Sequence, residues 1–331
     1  LDVEDVDTAL HIVLSLRDLA LNSSSFELAQ WAEDAATAGA RAGHPLTVDG
    51  YAIAGLGAWK RGSLDDTRRL LSLAEAIVER SDSSATYELL GAQATEDLAH
   101  GELFRAIERL DEAVKVPGVM DDPLHRAETL GTMAICMAYA HDPDGVAVAD
   151  SIAAGLAGHA AGIAEAWNAY AAGECRLDTD PTVAHQRLQH AVDLARTGGS
   201  TFLEGIAGAS LASLEVRSDN RLAAVDTYRW LVPLWLRAGL QSPFWTGMRS
   251  VVELLTRAGE VVAAVRILGA VMAPGSGHDV YGDDAARLAT IRSTLEQQVG
   301  TTVFDDEFHR GSEFDEAAAA NEATAAFDRL R

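Results

Sequence analysis

The side chains that most often do chemistry are present in this sequence, but not in the spacings that the chemistry requires. His185 and His190 are five residues apart, which places them on different faces of a helix, so they do not form a chelating pair. Cys136 and Cys175 lie in apolar surroundings and are expected to be buried, reduced thiols. We therefore expect no metal, no cofactor and no catalytic residue.

Two aspartates are adjacent at four places, and an all-α glycosidase could use two carboxylates as its acid and its base. At the start of a helix, however, such acids usually cap the helix or face its dipole, and we interpret these pairs in that way. The segment 275–278 holds a serine near a histidine and lacks the strand-to-helix turn of a hydrolase nucleophile, so it is predicted to be a loop. The acid pairs are Asp65-Asp66, Asp121-Asp122, Asp283-Asp284 and Asp305-Asp306.

The charge balance excludes further classes of function. Lys+Arg number 26 against 50 Asp+Glu, which gives a net charge of −24 and a pI near 4.6. A body this acidic repels phosphate, so we expect no direct nucleic-acid contact and no binding to an anionic membrane. No apolar run approaches the roughly 18 residues of a membrane span, and the residues from Leu1 onward lack the basic and apolar regions of a signal peptide, so a cytoplasmic location is expected. A start without Met indicates a piece of a longer protein.

Internal repeats organise the chain. The sequence has 60 alanines and few aromatic residues, which favours closely packed helices. Helix, short turn and second helix recur with spacings of 37 to 41 residues, counted between one turn residue and the next. Small residues recur five positions later, where a large side chain would hold two helices apart. The turn residues are Ser24, Gly62, Gly101, Asp142, Thr179, Asp219 and Gly259, and the small residues are Ala29, Thr67, Ala106, Ala147, Ala184, Ala224 and Ala264.

These features predict an all-α protein, an α-solenoid of helix-turn-helix repeats with a period of about 40 residues. Seven hairpins are predicted over residues 1–273, and a C-terminal helical capping segment over residues 274–331. A solenoid needs such an atypical end to cover its last apolar face. Five aromatic side chains are predicted to form the core between late repeats: Tyr228, Trp230, Trp235, Phe244 and Trp245.

The unit with Gly62, Thr67 and Ala74 resembles a tetratricopeptide (TPR) repeat, with Tyr51 and Gly55 at the matching places of its first helix. The stretched period resembles the C-terminal repeat domain of actinobacterial regulators of the LuxR/MalT and AfsR type and of cyclase-linked STAND ATPases. The segments 265–270, 288–295 and 299–311 follow the order in which that family closes its repeat domain. The resemblance implies a right-handed superhelix, and ATPase and DNA-binding modules elsewhere in the full-length protein. No P-loop sequence, G-x-x-x-x-G-K-[ST], occurs in this chain.

TPR-like solenoids bind ligands along the concave groove that is lined by the first helix of each repeat. Transfer of the groove positions of TPR proteins predicts a site rich in arginine, able to hold carboxylates or phosphates by paired hydrogen bonds. The predicted ligand-binding residues are Trp59, Lys60, Tyr139, Arg176, Arg217, Thr246, Arg249 and Arg257.

The first functional hypothesis is therefore a non-enzymatic sensor or scaffold arm of a larger transcriptional or signalling ATPase regulator. Its groove would bind a protein, a peptide or an anionic small effector. The alternative is a freestanding TPR-type adaptor that oligomerises or recruits proteins through its outer face, and an all-α hydrolase is the third hypothesis. The identity of the ligand is left open by the sequence.

Overall fold

The protein is described from a computed structural model that covers residues 3–23, 25–156, 162–273 and 280–331. Within these ranges the chain forms eighteen α-helices and no β-strand. The helices are α1 (Val3–Ser15), α2 (Arg17–Asn22), α3 (Phe26–Ala42), α4 (Thr47–Lys60), α5 (Leu64–Ser81), α6 (Tyr87–Ala99), α7 (Leu103–Ala113), α8 (Pro123–Tyr139), α9 (Gly145–Gly155), α10 (Ile163–Glu174), α11 (Pro181–Gly198), α12 (Thr201–Arg217), α13 (Arg221–Ala238), α14 (Gln241–Ala258), α15 (Val261–Val271), α16 (Gly282–Val299), α17 (Thr301–Ser312) and α18 (Glu316–Arg329).

Consecutive helices pair as hairpins, which confirms the all-α helical-repeat prediction. The pairs are α1 with α3, α4 with α5, α6 with α7, α8 with α9, α10 with α11, α12 with α13, and α14 with α15. Gly62, Gly101 and Gly259 lie in the turns inside their hairpins with φ values of 74°, 75° and 82°, a conformation that glycine adopts at little cost. Asp219 takes the same left-handed conformation, with φ of 57°. The remaining turn residue that opens the series, Ser24, lies outside the described residues.

The register predicted for the fourth hairpin was wrong. Ala147 is exposed, whereas Gly145 is buried at the position that small residues fill in the other second helices. A Cβ on Gly145 would lie 2.9 Å from the carbonyl oxygen of Ala134, so α8 and α9 touch through their backbones there. The left-handed turn residue of this hairpin is His141, with φ of 57°, one position before the predicted Asp142. The second helix α9 begins four residues after it, whereas α5, α7 and α13 begin two residues after their turn residues.

The chain divides into two compact units, unit 1 (Leu1–Glu204) and unit 2 (Gly205–Arg331), with the boundary inside α12. In unit 1, α1 to α11 form five hairpins, and each packs on the next: α3 on α4, α5 on α6, α7 on α8, and α9 on α10. The short helix α2 stands outside this scheme, because it lies between the two helices of the first hairpin and packs mainly on α4.

In unit 2, α16, α17 and α18 cover the hairpin α14–α15. The contact between α15 and α17 is very close, because a Cβ on Gly311 would lie 1.9 Å from the carbonyl oxygen of Arg266. Phe327 of α18 stacks on Tyr228 with 6.0 Å between the ring centroids, and both rings are fully buried. The tail is therefore held by apolar burial. The predicted boundary at residue 273 and the predicted handedness stay predictions.

Four of the five aromatic residues that were predicted as core of the late repeats are buried in unit 2: Tyr228, Trp235, Phe244 and Trp245. The fifth, Trp230, is partly exposed and packs against the position of Gly208. None of the helices in the described ranges is long and apolar enough to cross a lipid bilayer.

Candidate functional site

The first helices of the hairpins carry the predicted groove residues, but in two separate groups. Trp59 and Lys60 end α4, Tyr139 ends α8, and Arg176 follows α10, all in unit 1. The other four belong to unit 2, where Arg217 ends α12 and the rest lie on α14: Thr246, Arg249 and Arg257. We call the side of unit 1 that is built from α4, α6, α8 and α10 the first-helix face.

Trp59 and Lys60 belong to an aromatic cluster. The Phe202 ring lies edge-on to Trp59, with 6.0 Å between the centroids, and 6.5 Å from the centroid of Trp167. Lys60 is 3% exposed, its Nζ lies 4.2 Å from the centroid of Phe202, and it donates a hydrogen bond to the carbonyl oxygen of Leu21. The lysine therefore touches α2 and not solvent.

The environment of Lys60 disfavours its charged form. Burial lowers the pKa of its ammonium group to about 7, the nearby charge of Glu128 opposes this change, and the charge of Arg17 adds to it. A lysine that is half neutral near pH 7 is a weaker ligand for an anion than the sequence prediction assumed.

The most extensive charge cluster on the first-helix face was missed by sequence reasoning. Arg17 of α2 is 7% exposed, and it donates from Nε to Glu88 of α6 at 3.0 Å and from Nη2 to Glu128 of α8 at 2.8 Å. Its Nη1 reaches Asp18 at 2.7 Å, and its guanidinium carbon lies 5.4 Å from the ring centroid of Tyr87. One arginine therefore joins two first helices that are far apart from it in sequence.

Burial and charge act against each other in this cluster. Burial raises the pKa of Glu88 above its usual range, while the charge of Arg17 and its hydrogen bond pull it down and the charge of Glu128 raises it further. For Arg17, burial alone would lower the pKa, but the carboxylates of Glu128 and Glu88 outweigh this effect and raise it. The two acids thus depend on the arginine for their charge balance.

The other end of α2 is also fixed by polar contacts. Besides the bond from Lys60 to Leu21, the hydroxyl of Ser200 donates to the side-chain oxygen of Asn22 at 3.0 Å, and Ser200 is 1% exposed. Ser200 immediately precedes α12. The six residues of α2 therefore contact α4, α6, α8 and the start of α12.

Tyr139 and Arg176 bind carboxylates of their own unit. Tyr139 donates its hydroxyl to Glu174 at 3.0 Å, and Glu174 is 3% exposed. Arg176 donates from Nη2 to both oxygens of Asp150, at 2.7 and 2.8 Å, and from Nη1 to the carbonyl oxygen of Ala172. An external anion would have to replace Asp150 as the partner of this arginine.

In unit 2, the predicted arginines also pair within the chain. Arg257 donates to Glu253 at 2.7 Å on the same helix, and Arg249 lies 3.9 Å from Asp284 of α16. Arg287 of α16 binds Asp284 and lies 3.8 Å from Glu253. The adjacent helices α14 and α16 thus each supply one arginine and one acid to the ion pairs between them. Thr246 is exposed, and Arg217 is partly exposed at the end of α12.

A shallow cleft of about 410 Å³ lies at the turn of the hairpin α12–α13, also in unit 2. It brings Arg257 near Arg221, the first residue of α13, and its lining residues are Val216, Asp219, Asn220, Arg221, Leu222, Leu254 and Arg257. Its polar groups are those of a solvated turn.

The two cysteines and two of the acid pairs are in structural roles. Cys136 and Cys175 are both free and buried, and burial raises the pKa of each thiol to about 12, so neither is a thiolate at neutral pH. Asp122 caps α8 by accepting from the amides of Leu124 and His125, and Asp65 and Asp66 lie in the first turn of α5. The described residues include no group of three or more His, Cys, Asp or Glu side chains placed to hold a metal ion. The segment 275–278, predicted to be a loop, lies outside them.

Comparisons with known proteins identify the fold. No protein-family model matches the sequence, and no curated protein sequence matches it. Among solved structures, the chain is similar to a Rap protein whose crystal structure was determined as a complex with Competence and Sporulation Factor. The similarity has a TM-score of 0.61 at 13% sequence identity and covers 99% of this chain and 100% of the Rap chain. At this identity the likeness shows the fold, and the protein is a TPR-like helical-repeat protein.

Proposed function

We propose that the protein is a non-enzymatic binding protein that holds a peptide or a protein segment on the first-helix face of unit 1. The observation that carries the proposal is the convergence of polar side chains from consecutive first helices, with Lys60 from α4, Glu88 from α6 and Glu128 from α8 around one short helical segment. The structurally similar Rap protein was crystallised with Competence and Sporulation Factor, which supports a binding role for this fold.

The chemistry of the face suits recognition. Its acids and bases form hydrogen bonds with α2, so a segment that offers the same charge and backbone groups can bind there by replacing these partners. A catalytic site would need an unpaired acid, base or nucleophile beside a space for substrate. The clusters described above offer paired groups in their place.

A selection experiment tests the binding function. A random dodecapeptide phage library is panned against the immobilised full chain, and enriched peptides are then measured by fluorescence anisotropy. Tyr139→Ala removes a 42%-exposed aromatic from a first helix, and Trp31→Ala removes a 52%-exposed aromatic from the second helix α3. We expect the first variant to weaken binding at least five-fold and the second to leave it unchanged. A library that yields no binder overturns the proposal.

A second candidate function has its own observation. Large apolar side chains are exposed on the second helices of three consecutive hairpins: Trp31 at 52%, Leu73 at 40% and Phe104 at 73%. Exposed apolar groups on the second helices of consecutive hairpins favour an adaptor that recruits a partner through its outer face. In the same experiment, loss of binding with Trp31→Ala but not with Tyr139→Ala would support the adaptor.

The finer proposal is that the chain is the sensor or scaffold arm of a transcriptional or signalling ATPase regulator of the LuxR/MalT or AfsR type. It rests on the resemblance of the repeat and tail sequences. Immunoprecipitation tests this proposal. An antibody raised against the chain isolates the endogenous protein, which is then identified by peptide mass fingerprinting. Peptides from a P-loop module in the same polypeptide would support the proposal, and an endogenous protein of about 35.1 kDa, the mass of this chain, would contradict it.

An anionic small effector is the other ligand that the sequence suggested. Arg176, Arg249 and Arg257 each have a carboxylate partner at present, so an anion must displace Asp150, Asp284 or Glu253. Such exchange is easiest at Arg257, which is the most exposed of the three.

A further inference from the structure

The helix α2 makes the contacts that a bound peptide would make. It has only six residues, which is far below the length at which a helix is stable on its own, so its conformation depends on the helices around it. Its partners are Glu88 and Glu128 at the first end and Lys60 and Ser200 at the other. Lys60, Glu88 and Glu128 belong to α4, α6 and α8, and Ser200 immediately precedes α12.

The contacts define a recognition pattern. An arginine enters between two carboxylates, and four residues later the carbonyl oxygen of Leu21 accepts from Lys60. The next residue, Asn22, accepts from Ser200. Leu19 is 53% exposed and takes no part in this pattern. The first-helix face therefore binds one basic side chain and, one helical turn later, a backbone carbonyl and an asparagine side chain.

The carboxylates of Glu88 and Glu128 are the reason why this face favours a ligand with a basic side chain. The side chains of Glu88 and Glu128 are only 11% and 13% exposed, and their mutual repulsion contributes to the raised pKa of Glu88. Arg17 donates hydrogen bonds to both carboxylates and lies over the ring of Tyr87, and it comes from α2, outside the two helices of each hairpin.

We propose that this part of the first-helix face is a binding site for arginine-bearing helical peptide segments, occupied in cis by α2, and that a partner peptide of the same pattern replaces α2. The proposal rests on the proposed function and names the ligand class of its site: a basic peptide segment, not an anion. When a separate peptide binds, α2 leaves the site and becomes exposed. The bound state of the site therefore changes the conformation of the N-terminal hairpin.

The experiment uses a fluorescein-labelled synthetic peptide with the sequence of residues 15–23 and the full chain. Its anisotropy is titrated with wild type, with Arg17→Ala and with Arg68→Ala, a control that removes a 58%-exposed arginine of α5. We expect Arg17→Ala to bind the peptide at least ten-fold more tightly than wild type, because α2 no longer supplies the arginine. Arg68→Ala should match wild type.

A second peptide tests the role of the arginine itself. With alanine at the position of Arg17, the peptide should bind the Arg17→Ala chain at least ten-fold more weakly. Adding Glu88→Gln and Glu128→Gln to that chain should abolish the difference between the two peptides. Circular dichroism checks that each variant is folded. If Arg17→Ala does not fold, Ser200→Ala, which loosens the other end of α2, should bind the arginine peptide at least three-fold more tightly than wild type.

Two results overturn the inference. The first is a folded Arg17→Ala chain that binds both peptides equally or neither, and the second is a folded Ser200→Ala chain without any gain when Arg17→Ala is unfolded. If library peptides still bind in a Tyr139-dependent manner, the proposed function survives and the arginine-reading site alone is rejected. If the library yields no binder, the proposed function itself has failed.

Discussion

The two units neutralise the charges on their first helices in different ways. In unit 2, α14 and α16 lie side by side and form ion pairs with each other, Arg249–Asp284 and Arg287–Glu253. In unit 1, α6 and α8 both present a glutamate, and the positive charge comes from Arg17 of α2. The charges of α14 in unit 2 are therefore balanced by the 18-residue covering helix α16, whereas those of α6 and α8 in unit 1 are balanced by the six-residue helix α2.

The difference extends to the forces that hold the additional helices. The tail helices of unit 2 bury whole aromatic rings, such as Phe304 and Phe327, and approach α15 at backbone distance. Polar contacts of Arg17 and Asn22 hold both ends of α2. The tail helices are 12 to 18 residues long, and Glu307 and Glu322 also bind Arg266 of α15, which indicates a permanent cover. The six residues of α2 bury only two apolar side chains, Ala20 and Leu21, so α2 is the easier of the two to exchange for another segment.

The largest expected effect is that of Arg17→Ala. It leaves two largely buried carboxylates without their cation, and the removal of one partner from a buried ion pair costs about 3 kcal/mol or more. Urea unfolding followed by circular dichroism measures the loss of unfolding free energy. Adding Glu88→Gln should recover part of it, because the remaining acid no longer faces a second negative charge. Equal stability of the single and double variants would contradict the account of unit 1.

Gly311→Ala tests the cover of unit 2 and is expected to cost about 2 kcal/mol. The new methyl group would meet the backbone carbonyl of Arg266 at 1.9 Å, so α15 and α17 must separate. Gly91→Ala in α6 is the matched control, since nothing lies within 4 Å of its added Cβ. Because alanine is a better helix former, the control should be neutral or more stable by up to about 1 kcal/mol. Similar losses in both variants would indicate that the seam between α15 and α17 is loose.

Lys60 gives unit 1 a pH dependence. Its pKa is about 7 in the folded chain against an ordinary 10.5, so between these values the unfolded chain binds more protons than the folded one. The free energy of unfolding should therefore rise with pH in this window, by about 1.4 kcal/mol per pH unit at most. Urea unfolding of wild type and Lys60→Met from pH 6.5 to 10 measures the difference. Parallel curves for the two proteins would show that Lys60 keeps its charge.

The repeat architecture could be read from the sequence because it is a local property. Hairpins recur at nearly constant spacing, and turn residues such as Gly62 and Gly101 mark them without any long-range information. The exception was α9, which begins four residues after its left-handed turn residue His141 instead of two, so the register of its buried side is shifted. The many alanines offered a small residue at the predicted register as well, which concealed the longer turn.

The charge cluster of unit 1 could not be predicted in the same way. Arg17 is 71 residues from Glu88 and 111 from Glu128, and no periodic pattern relates a helix outside the repeat to helices within it. The predicted groove arginines share this difficulty. The sequence showed which helices carry Arg176 and Arg249, but not that Asp150 and Asp284 lie within reach of them.

The substitution Asp284→Asn in unit 2 is expected to have the smallest effect on stability. Asp284→Asn removes the acid that faces Arg249 and Arg287 between α14 and α16 of unit 2, and the side chain of Asp284 is 37% exposed. Solvent screens such pairs, so we expect a loss below about 1 kcal/mol that shrinks further in 1 M NaCl. The cost of Arg17→Ala should persist in the same salt, because its carboxylates are largely removed from solvent. If both losses vanish together in salt, the charges of unit 1 are as exposed as those of unit 2, and α2 has no special role in balancing them.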